Sequence, residues 1–247
     1  MKAMIFAAGL GTRLRPFTND RPKALVEIQG TPLLEIIIRR LINYGFEDII
    51  VNVHHFADKV IDFLDSKNYF NINLQISDER EELLDTGGGL KKASWFFDDQ
   101  QPFLVHNVDT ITNVDLLDYY SFHKKNDALS TVLVRHRPGS RFFLFDEKRR
   151  LCGWENVVTN EKRLTASTNS NLEQIAFSCL HVIDPEIFKL IDEEGCFSII
   201  DVYLKLAGHH NIMGYVDDKS YWLDVGTPEK LQRGEHEINI EELINRR

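Results

Sequence analysis

The chain begins with a short apolar run, residues 3–8, that passes directly into a loop containing Gly9 and Gly11. An apolar run of this length followed by turn residues predicts a buried strand. The loop, residues 9–23, is called the glycine loop below, and almost all of its charged residues are cations: Arg13, Arg15, Arg21 and Lys23. Glycines let main-chain N–H groups approach an anion closely, and the cations supply charge. The loop is therefore predicted to bind a polyphosphate.

Two common phosphate-binding motifs do not match the glycine loop. The dinucleotide fingerprint G-x-G-x-x-G requires glycine at the position of Leu14 and an acidic residue near the end of the second strand, where the chain has residues 51–54, Val-Asn-Val-His. A Walker A loop is excluded because Gly-Lys-Ser/Thr is absent. An isolated G-x-G also fits a tight turn after a buried strand, so this motif alone leaves that interpretation open.

Further motifs follow the glycine loop in a fixed order. They are Gly9-Leu10-Gly11-Thr12-Arg13-Leu14-Arg15-Pro16, Arg21-Pro22-Lys23, Leu84-Asp85-Thr86-Gly87-Gly88-Gly89, the region of Asp109, and Trp222-Leu223-Asp224-Val225-Gly226-Thr227-Pro228-Glu229. This set resembles the signature of the sugar-1-phosphate nucleotidyltransferases. The triple glycine after Thr86 is most similar to the N-acetylmuramate 1-phosphate uridylyltransferase and mannose-1-phosphate guanylyltransferase branches. The resemblance implies an α/β fold of the nucleotide-diphospho-sugar transferase type, with a Rossmann-like, mostly parallel sheet flanked by helices.

The reaction that the resemblance implies is transfer of a nucleoside monophosphate from an NTP to a sugar 1-phosphate, with release of pyrophosphate. A sugar phosphate has its second pKa near 6, so the nucleophile is largely ionised at neutral pH without an activating base. Positioning and charge neutralisation then determine the rate. UTP and N-acetylmuramate 1-phosphate are the expected substrates. GTP with mannose 1-phosphate, or a non-catalytic regulatory homologue that binds a nucleotide sugar, are the alternatives.

The resemblance also implies roles for single residues around the phosphates. Gly9, Gly11 and Thr12 are expected to contact the triphosphate through main-chain and hydroxyl groups. Arg13 is expected to neutralise the departing pyrophosphate, and Lys23 to bridge the reacting phosphates. These two cations are the expected catalytic residues.

The base and the metal are expected at other positions. The base is expected beside Ala8, Glu79, Thr86 and Gly87. Asp109 and Asp224 are expected to hold Mg²⁺, which binds proteins through one or two carboxylates and completes its shell with phosphate oxygens and water. The two aspartates lie in different halves of the chain, so the resemblance alone pairs them.

Three positions depart from the family pattern. Val108 replaces the glycine that usually precedes the first metal aspartate, and a β-branched residue is costly there if φ must be positive. Ala24 replaces a second proline, so Lys23 loses a backbone restriction and is expected to be held more loosely. The Glu-Lys-Pro motif that binds the sugar phosphate has only an echo in residues 161–163, to which no role is assigned.

Composition limits the remaining classes of function. The net charge of −9 argues against nucleic acid as a partner. Three cysteines without a C-x-x-C spacing predict neither a disulfide framework nor a zinc site, and no segment is long and apolar enough to cross a membrane. We expect a cytoplasmic protein whose partners are the NTP and the sugar 1-phosphate. A single domain over residues 1–247 is expected, with its nucleotide-binding part at about 1–110 and its sugar-binding part at about 111–235. The sequence does not indicate an oligomeric state.

Strand and helix signals alternate through the first half of the chain, which favours βαβ units. Strands are predicted at residues 49–53, 73–76, 103–106, 129–135, 142–145, 175–182, 212–216 and 221–224. Helices are predicted from a Thr31 cap to Gly45, over 57–64 and 88–96, from a Ser198–Asp201 capping box to 206, and from 227 onward. The polar stretch 158–171 is expected to be a loop near the sugar pocket, although its composition also fits disorder. The aromatic run 95–97 is expected to pack in the core.

Overall fold

A computed structural model of the chain describes residues 1–165 and 171–245. The strands within these ranges are Lys2–Phe6 (β1), Glu27–Ile28 (β2), Thr31–Pro32 (β3), Asp48–Val53 (β4), Asn73–Asp78 (β5), Phe103–Asn107 (β6), Thr110–Thr112 (β7), Ser130–Arg135 (β8), Arg141–Phe145 (β9), Leu151–Asn156 (β10), Glu161–Leu164 (β11), Glu173–Ile183 (β12), Ile212–Val216 (β13) and Trp222–Asp224 (β14). The α-helices within them are Leu33–Asn43 (α1), Ala57–Ser66 (α2), Asp85–Lys92 (α3), Leu116–Lys125 (α4), Ile199–Leu206 (α5), Pro228–Glu237 (α6) and Ile240–Asn245 (α7).

The chain forms two compact units, and each consists of segments that are not contiguous in sequence. The first contains Met1–Leu84, Val105–Asp115 and the segment that starts at Ser220. The second contains Asp85–Leu104 and Leu116–Lys219.

The first unit contains a parallel sheet in which β1, β4 and β5 are neighbours in that order. β1 pairs in parallel with β4, and β4 with β5, so that Ile5 lies opposite Val51 and Val51 opposite Ile76. The apolar run that predicted β1 is buried from Ala3 onward. Strands covered on both faces read as continuous apolar runs, which is why this part of the fold was predictable. The predicted α/β class, with a parallel sheet flanked by helices, is confirmed.

Helix α1 shows where tertiary pairing overrides a local signal. Thr31 and Pro32 were predicted to start the helix, but they form β3, which pairs with β2. The helix begins at Leu33, with Pro32 in extended conformation before it. The predicted Thr31 cap is therefore wrong, because the short ribbon holds the preceding backbone extended. Gly45 follows the helix at a φ of +82°, as its predicted role at the helix end requires.

The second unit is dominated by antiparallel pairs. β12 pairs with β8 and β9, β10 pairs with β9 and β11, and β13 adds a parallel partner to β8. Part of the predicted 158–171 loop is the strand β11, whose Arg163 lies opposite Trp154. Residues 166–170 of that prediction lie outside the described residues. β11 has polar side chains on both faces, so its sequence lacks the alternation of apolar and polar residues that predicts a strand.

Two predicted helices of the second unit differ in detail from the structure. The segment 88–96 divides into α3 and a separate 3₁₀ turn at Ser94–Phe96. The core prediction holds for Phe96 and Phe97, which are buried, but is wrong for Trp95, which is 58% exposed. Ser198 caps α5 by accepting a hydrogen bond from the main-chain N–H of Ile200 at 3.2 Å.

The second half of the predicted capping box at α5 does not form. Asp201 was expected to complete the box, but its carboxylate accepts a 2.6 Å hydrogen bond from Arg163. None of the helices in the described part of the chain has the length and apolar character needed to span a bilayer.

Candidate phosphate and metal site

The glycine loop follows β1, and its backbone requires one of its two glycines. Gly11 has a φ of +64°, and a Cβ atom there would lie 3.0 Å from Cγ2 of Thr18 and 3.3 Å from Cβ of Lys23. The Thr18 hydroxyl donates to the Gly11 carbonyl oxygen at 2.8 Å and closes the loop. A Cβ atom on Gly9 would have no neighbour within 4 Å, so this residue presents open backbone to an approaching ligand.

A buried amide holds the start of the loop. The side-chain oxygen of Asn52 accepts hydrogen bonds from the main-chain N–H groups of Ala7 at 2.7 Å and Ala8 at 3.3 Å. The Asn52 amide nitrogen donates to the fully buried carboxylate of Glu79 at 2.8 Å. Sequence reasoning missed Asn52, although an amide inside an apolar strand was a usable signal. The Ala8 N–H has a protein acceptor, and a contact between Ala8 and a base stays a prediction.

Lys23 is held by its side chain and not by backbone restriction. Its ammonium group forms an ion pair with the carboxylate of Asp109, and the Lys23 side chain is 10% exposed. Ala24, in the place of the family's second proline, is fully buried beside it. The expectation that Lys23 is held loosely is therefore wrong, because burial and the ion pair fix it.

The two aspartates predicted to bind metal are adjacent in the structure. β14 pairs with β7 so that Asp224 lies opposite Thr110, and the N–H of Val225 donates to the Asp109 carbonyl oxygen at 2.9 Å. Oδ1 of Asp224 accepts from the Gly226 N–H at 2.9 Å, and Oδ2 accepts from Nζ of Lys230 at 2.8 Å.

The predicted cations reach the same place. A Cβ atom on Gly226 would lie 2.7 Å from Oδ1 of Asp224, 3.4 Å from Nη2 of Arg13 and 3.5 Å from Nζ of Lys23. The structure thus brings together five side chains, which we call the charged cluster: Arg13, Lys23, Asp109, Asp224 and Lys230. Sequence reasoning identified the first four, and it missed Lys230.

Electrostatics keep Asp224 ionised. Burial raises the pKa of this carboxyl group, but the hydrogen bond from Lys230 and the charges of Lys230, Lys23 and Arg13 outweigh it and lower the pKa below its ordinary value. The carboxylate is therefore available as an anionic ligand at neutral pH.

Val108 does not strain the backbone before Asp109. Its N–H donates to the Phe6 carbonyl oxygen at 3.0 Å, and its side chain is buried. The positive-φ residues in the described part of the chain do not include Val108. The conformational cost expected at this position does not arise.

The charged cluster fits a divalent cation that also binds phosphate. Within residues 1–165 and 171–245 no group of three or more His, Cys, Asp or Glu side chains could hold a metal by itself. Mg²⁺ does not need such a group, because one or two carboxylates and substrate phosphates suffice. The Thr110 hydroxyl, opposite Asp224, is buried and has no hydrogen-bond partner in the described chain. Two adjacent carboxylates, with this unpartnered hydroxyl at the facing register position, offer the oxygen ligands that Mg²⁺ takes, so the residues present fit Mg²⁺.

Thr86 and Gly87 lie in the second unit, at the start of α3. The N–H of Gly87 donates to the Phe197 carbonyl oxygen at 2.8 Å, and a Cβ atom on Gly87 would lie 2.4 Å from Cδ2 of the Phe197 ring. The Thr86 hydroxyl accepts from the Ile199 N–H at 3.1 Å. Gly87 is thus required for close packing, and its expected contact with a base stays a prediction.

The echo of the sugar-phosphate motif lies on β11. Arg163 stacks over the Trp154 ring at 4.6 Å and donates to Asp201, so its charge is already paired. Lys162 lies 3.6 Å from the Glu155 carboxylate. Because both side chains have partners within the protein, these contacts do not indicate that Arg163 or Lys162 binds the sugar phosphate.

The family model and the relatives that match this chain all describe nucleotidyltransferases. The family model described as Nucleotidyl transferase matches residues 2–240. An N-acetylmuramate alpha-1-phosphate uridylyltransferase from Caulobacter vibrioides is 32% identical over 233 residues, which cover 92% of each chain. A mannose-1-phosphate guanyltransferase from Yarrowia lipolytica is 28% identical over 239 residues, which cover 95% of this chain and 63% of that protein.

A solved structure supports the fold. A putative glucose-1-phosphate thymidylyltransferase from Bacillus anthracis superposes with a TM-score of 0.78 at 21% identity and covers 99% of both chains. The family model and the 32% identical relative confirm the family predicted from the motifs. The chain belongs to the nucleotidyl transferase family and is a sugar-1-phosphate nucleotidyltransferase.

Proposed function

We propose that this enzyme transfers uridylate from UTP to N-acetylmuramate 1-phosphate, with release of pyrophosphate. The main support for nucleotidyl transfer is the charged cluster, because three cations and two carboxylates converge beside the glycine loop. The 32% identical uridylyltransferase from Caulobacter vibrioides, matched over 92% of both chains, supports the choice of substrates.

The residues of the glycine loop and of the charged cluster have complementary tasks in this proposal. Gly9, Gly11 and Thr12 bind the triphosphate, Arg13 neutralises the pyrophosphate as it leaves, and Lys23 bridges the reacting phosphates. Mg²⁺ held by Asp109 and Asp224 would supply further positive charge and align the phosphates. Attack of one polyanion on another is limited by charge repulsion, so these tasks address the main barrier.

Base selection would rest on polar groups near the proposed base site. A buried polar group that pairs with uracil is left unsatisfied by another base, and this penalty discriminates strongly. The 28% identical guanyltransferase from Yarrowia lipolytica keeps GTP with mannose 1-phosphate as a second candidate. The complete charged cluster argues against a purely regulatory homologue, since binding a nucleotide sugar does not require both carboxylates.

The test is pyrophosphate release measured over a grid of NTPs and sugar 1-phosphates in the presence of Mg²⁺. We expect kcat/KM for UTP with N-acetylmuramate 1-phosphate to exceed that of every other pair by about 10²-fold or more. Faster turnover of GTP with mannose 1-phosphate would assign the guanylyltransferase activity instead. Nucleotide binding by calorimetry without turnover of any pair would indicate the regulatory homologue.

A further inference from the structure

Two lysine–aspartate pairs occupy the carboxylates of the charged cluster. Lys23 pairs with Asp109, and Lys230 pairs with Asp224. Lys230 comes from the first turn of α6, where the Thr227 side chain caps the helix by accepting from the Lys230 N–H at 3.4 Å. The helix start therefore places a second lysine at a proposed metal ligand.

We propose that Lys230 is an exchangeable counter-ion for Asp224. It neutralises the carboxylate in the ligand-free enzyme, competes there with the divalent cation, and transfers to substrate phosphate when the cation binds. This inference rests on the proposed metal site at Asp109 and Asp224.

The contacts of Asp224 show that Lys230 is not needed to orient it. Oδ1 is fixed by the main-chain N–H of Gly226, which remains in place whatever binds Oδ2. Lys230 covers the second oxygen, Oδ2, as a monovalent cation. A dication near Oδ2 would repel this ammonium group, because like charges at short range are costly.

Exposure indicates which of the two lysines can move. The Lys230 side chain is 42% exposed and that of Asp224 is 23% exposed, whereas the Lys23 side chain is 10% exposed. Partly exposed ion pairs contribute little net stability, so the Lys230 pair can break at low cost. A flexible lysine whose ammonium group is released beside the glycine loop is suited to bind a phosphate as a point charge.

The charge balance of the cluster gives the direction of exchange. Arg13, Lys23 and Lys230 outnumber Asp109 and Asp224 by one positive charge before any ligand binds. A divalent cation alone increases this excess, and a triphosphate reverses it. Metal binding without nucleotide should therefore be weakened by Lys230, whereas phosphate binding should be strengthened by it.

The first measurement is Mn²⁺ affinity without nucleotide, from the electron paramagnetic resonance signal of free Mn²⁺. Lys230→Met removes the competing charge and is expected to bind Mn²⁺ about tenfold more tightly than the unchanged enzyme. Arg233→Met is the matched control, since Arg233 lies on the same helix and pairs with Glu237. It is expected to keep the unchanged Kd. Unchanged or weaker Mn²⁺ binding by Lys230→Met overturns the proposal.

The second measurement is pyrophosphate affinity at saturating Mn²⁺, by calorimetry. Lys230→Met is expected to bind pyrophosphate about tenfold more weakly, because a charge-assisted contact is lost. Opposite shifts in the two affinities are the signature of exchange, since a general structural defect would weaken both. Unchanged pyrophosphate affinity overturns the transfer of Lys230 to phosphate. Lys230→Gln, which removes the charge but keeps a polar side chain, repeats both measurements if Lys230→Met is poorly folded.

A third variant separates this inference from the proposed function. Asp224→Asn is expected to lose most of its Mn²⁺ affinity. If it binds Mn²⁺ as the unchanged enzyme does, the proposed metal site is wrong, and the exchange with it. If it loses Mn²⁺ binding while Lys230→Met gains nothing, the metal site stands and only the exchange is wrong.

Discussion

The Asn52 side chain connects segments that are distant in sequence. Its oxygen holds the N–H groups of Ala7 and Ala8, and its nitrogen holds Glu79, all away from solvent. Buried polar groups that lose their partner retain their full desolvation cost. One amide therefore couples the fold of the first unit to the position of the glycine loop.

Replacing this amide should affect both stability and substrate binding. Asn52→Ala is expected to lower the free energy of unfolding by about 2–4 kcal/mol, because two main-chain donors and a carboxylate lose a buried partner. KM for UTP should rise as the start of the loop relaxes. Urea denaturation and steady-state kinetics measure the two effects. Asn73→Ala, which removes an exposed amide bonded to Asp48, is the control and should change neither. A stable variant with unchanged KM would contradict the coupling.

The charges of the cluster should act mainly on the chemical step. Asp109→Asn and Asp224→Asn are expected to lower kcat by about 10² or more, and Arg13→Ala or Lys23→Ala by about 10²–10³, as for loss of one preorganised charge. Pyrophosphate release at saturating substrates measures this. Arg39→Ala, which breaks an ion pair with Glu35 on α1, is the control. An effect confined to KM would show that the residue contributes only to ground-state binding.

At the residue scale, four of the five members of the charged cluster could be identified from the sequence, and the fifth, Lys230, could not. Arg13, Lys23, Asp109 and Asp224 lie in motifs that resemble a family. Lys230 directly follows the motif that contains Asp224, but their ion pair depends on the turn into α6. The amide of Asn52 inside an apolar strand was a usable signal, but its partners Ala7, Ala8 and Glu79 are visible only in the fold. The same holds for Phe197, whose packing explains Gly87.

At the scale of elements, the glycine loop separates two uses of glycine. Gly11 requires a positive φ and has Thr18 close to where a side chain would begin, whereas Gly9 has open space. Gly11 is required by the backbone conformation, and Gly9 leaves room for a ligand.

Single alanine substitutions should separate these uses. Gly11→Ala is expected to lower the free energy of unfolding by about 1–2 kcal/mol, the cost of a left-handed L-residue. Gly9→Ala should leave stability within about 0.5 kcal/mol, as an exposed substitution does, yet raise KM for UTP because the methyl group faces the phosphates. Urea denaturation and steady-state kinetics measure both. Gly9→Ala with unchanged KM would show that the triphosphate does not approach this residue.

Elements with strong periodicity were predictable, and elements defined by pairing were not. The strands β1 and β4 and the helix α2 follow from buried runs and an apolar face. β11 carries polar residues and is a strand because β10 lies beside it. β3 is extended because it pairs with β2, and α1 therefore begins only after β3 ends. Local patterns do not contain these partners, which is why the first unit was predicted better than the hairpins of the second.

At the scale of the whole molecule, the net charge of −9 contrasts with the cationic glycine loop. Acidic surface elsewhere keeps the positive potential local to one site, which suits a small anionic substrate. Acidification changes this balance, and it also acts on the buried histidines, which in the described chain are His106, His123 and His181.

Burial holds two of these side chains, His106 and His123, neutral. Burial lowers the pKa of His106 to about 3, with Arg40 adding to the shift and a main-chain bond to Asn107 opposing it. Burial lowers the pKa of His123 to about 4, against the charges of Asp184 and Asp127. In the unfolded chain a histidine titrates near 6.5. Below that pH the unfolded chain binds protons that the folded chain does not, so stability is lost as pH falls from 6.5 toward the folded values.

Other shifted groups act differently over the same range. The lowered pKa of Asp224 contributes stability that is lost only as pH falls below its ordinary value of 3.8. Hydrogen bonds to Asp218 and Glu173 raise the pKa of the exposed His136, so its contribution is present at low pH and lost as pH rises. Between pH 6.5 and 5, His106 and His123 therefore lower the stability, whereas Asp224 and His136 do not.

The free energy of unfolding is expected to fall by about 2 kcal/mol per buried histidine between pH 7 and 5, since each unit below 6.5 costs about 1.4 kcal/mol. His123→Gln removes one titrating group and leaves Thr131, its 3.0 Å hydrogen-bond partner, within reach of an amide. We expect this variant to lose about 2 kcal/mol less stability over the range than the wild-type enzyme. Urea denaturation at pH 5, 6 and 7 measures the slope, with the exposed His209→Gln as the control. If His123→Gln and His209→Gln both keep the full slope, His123 is not held neutral in the folded chain, and the acid sensitivity must arise elsewhere.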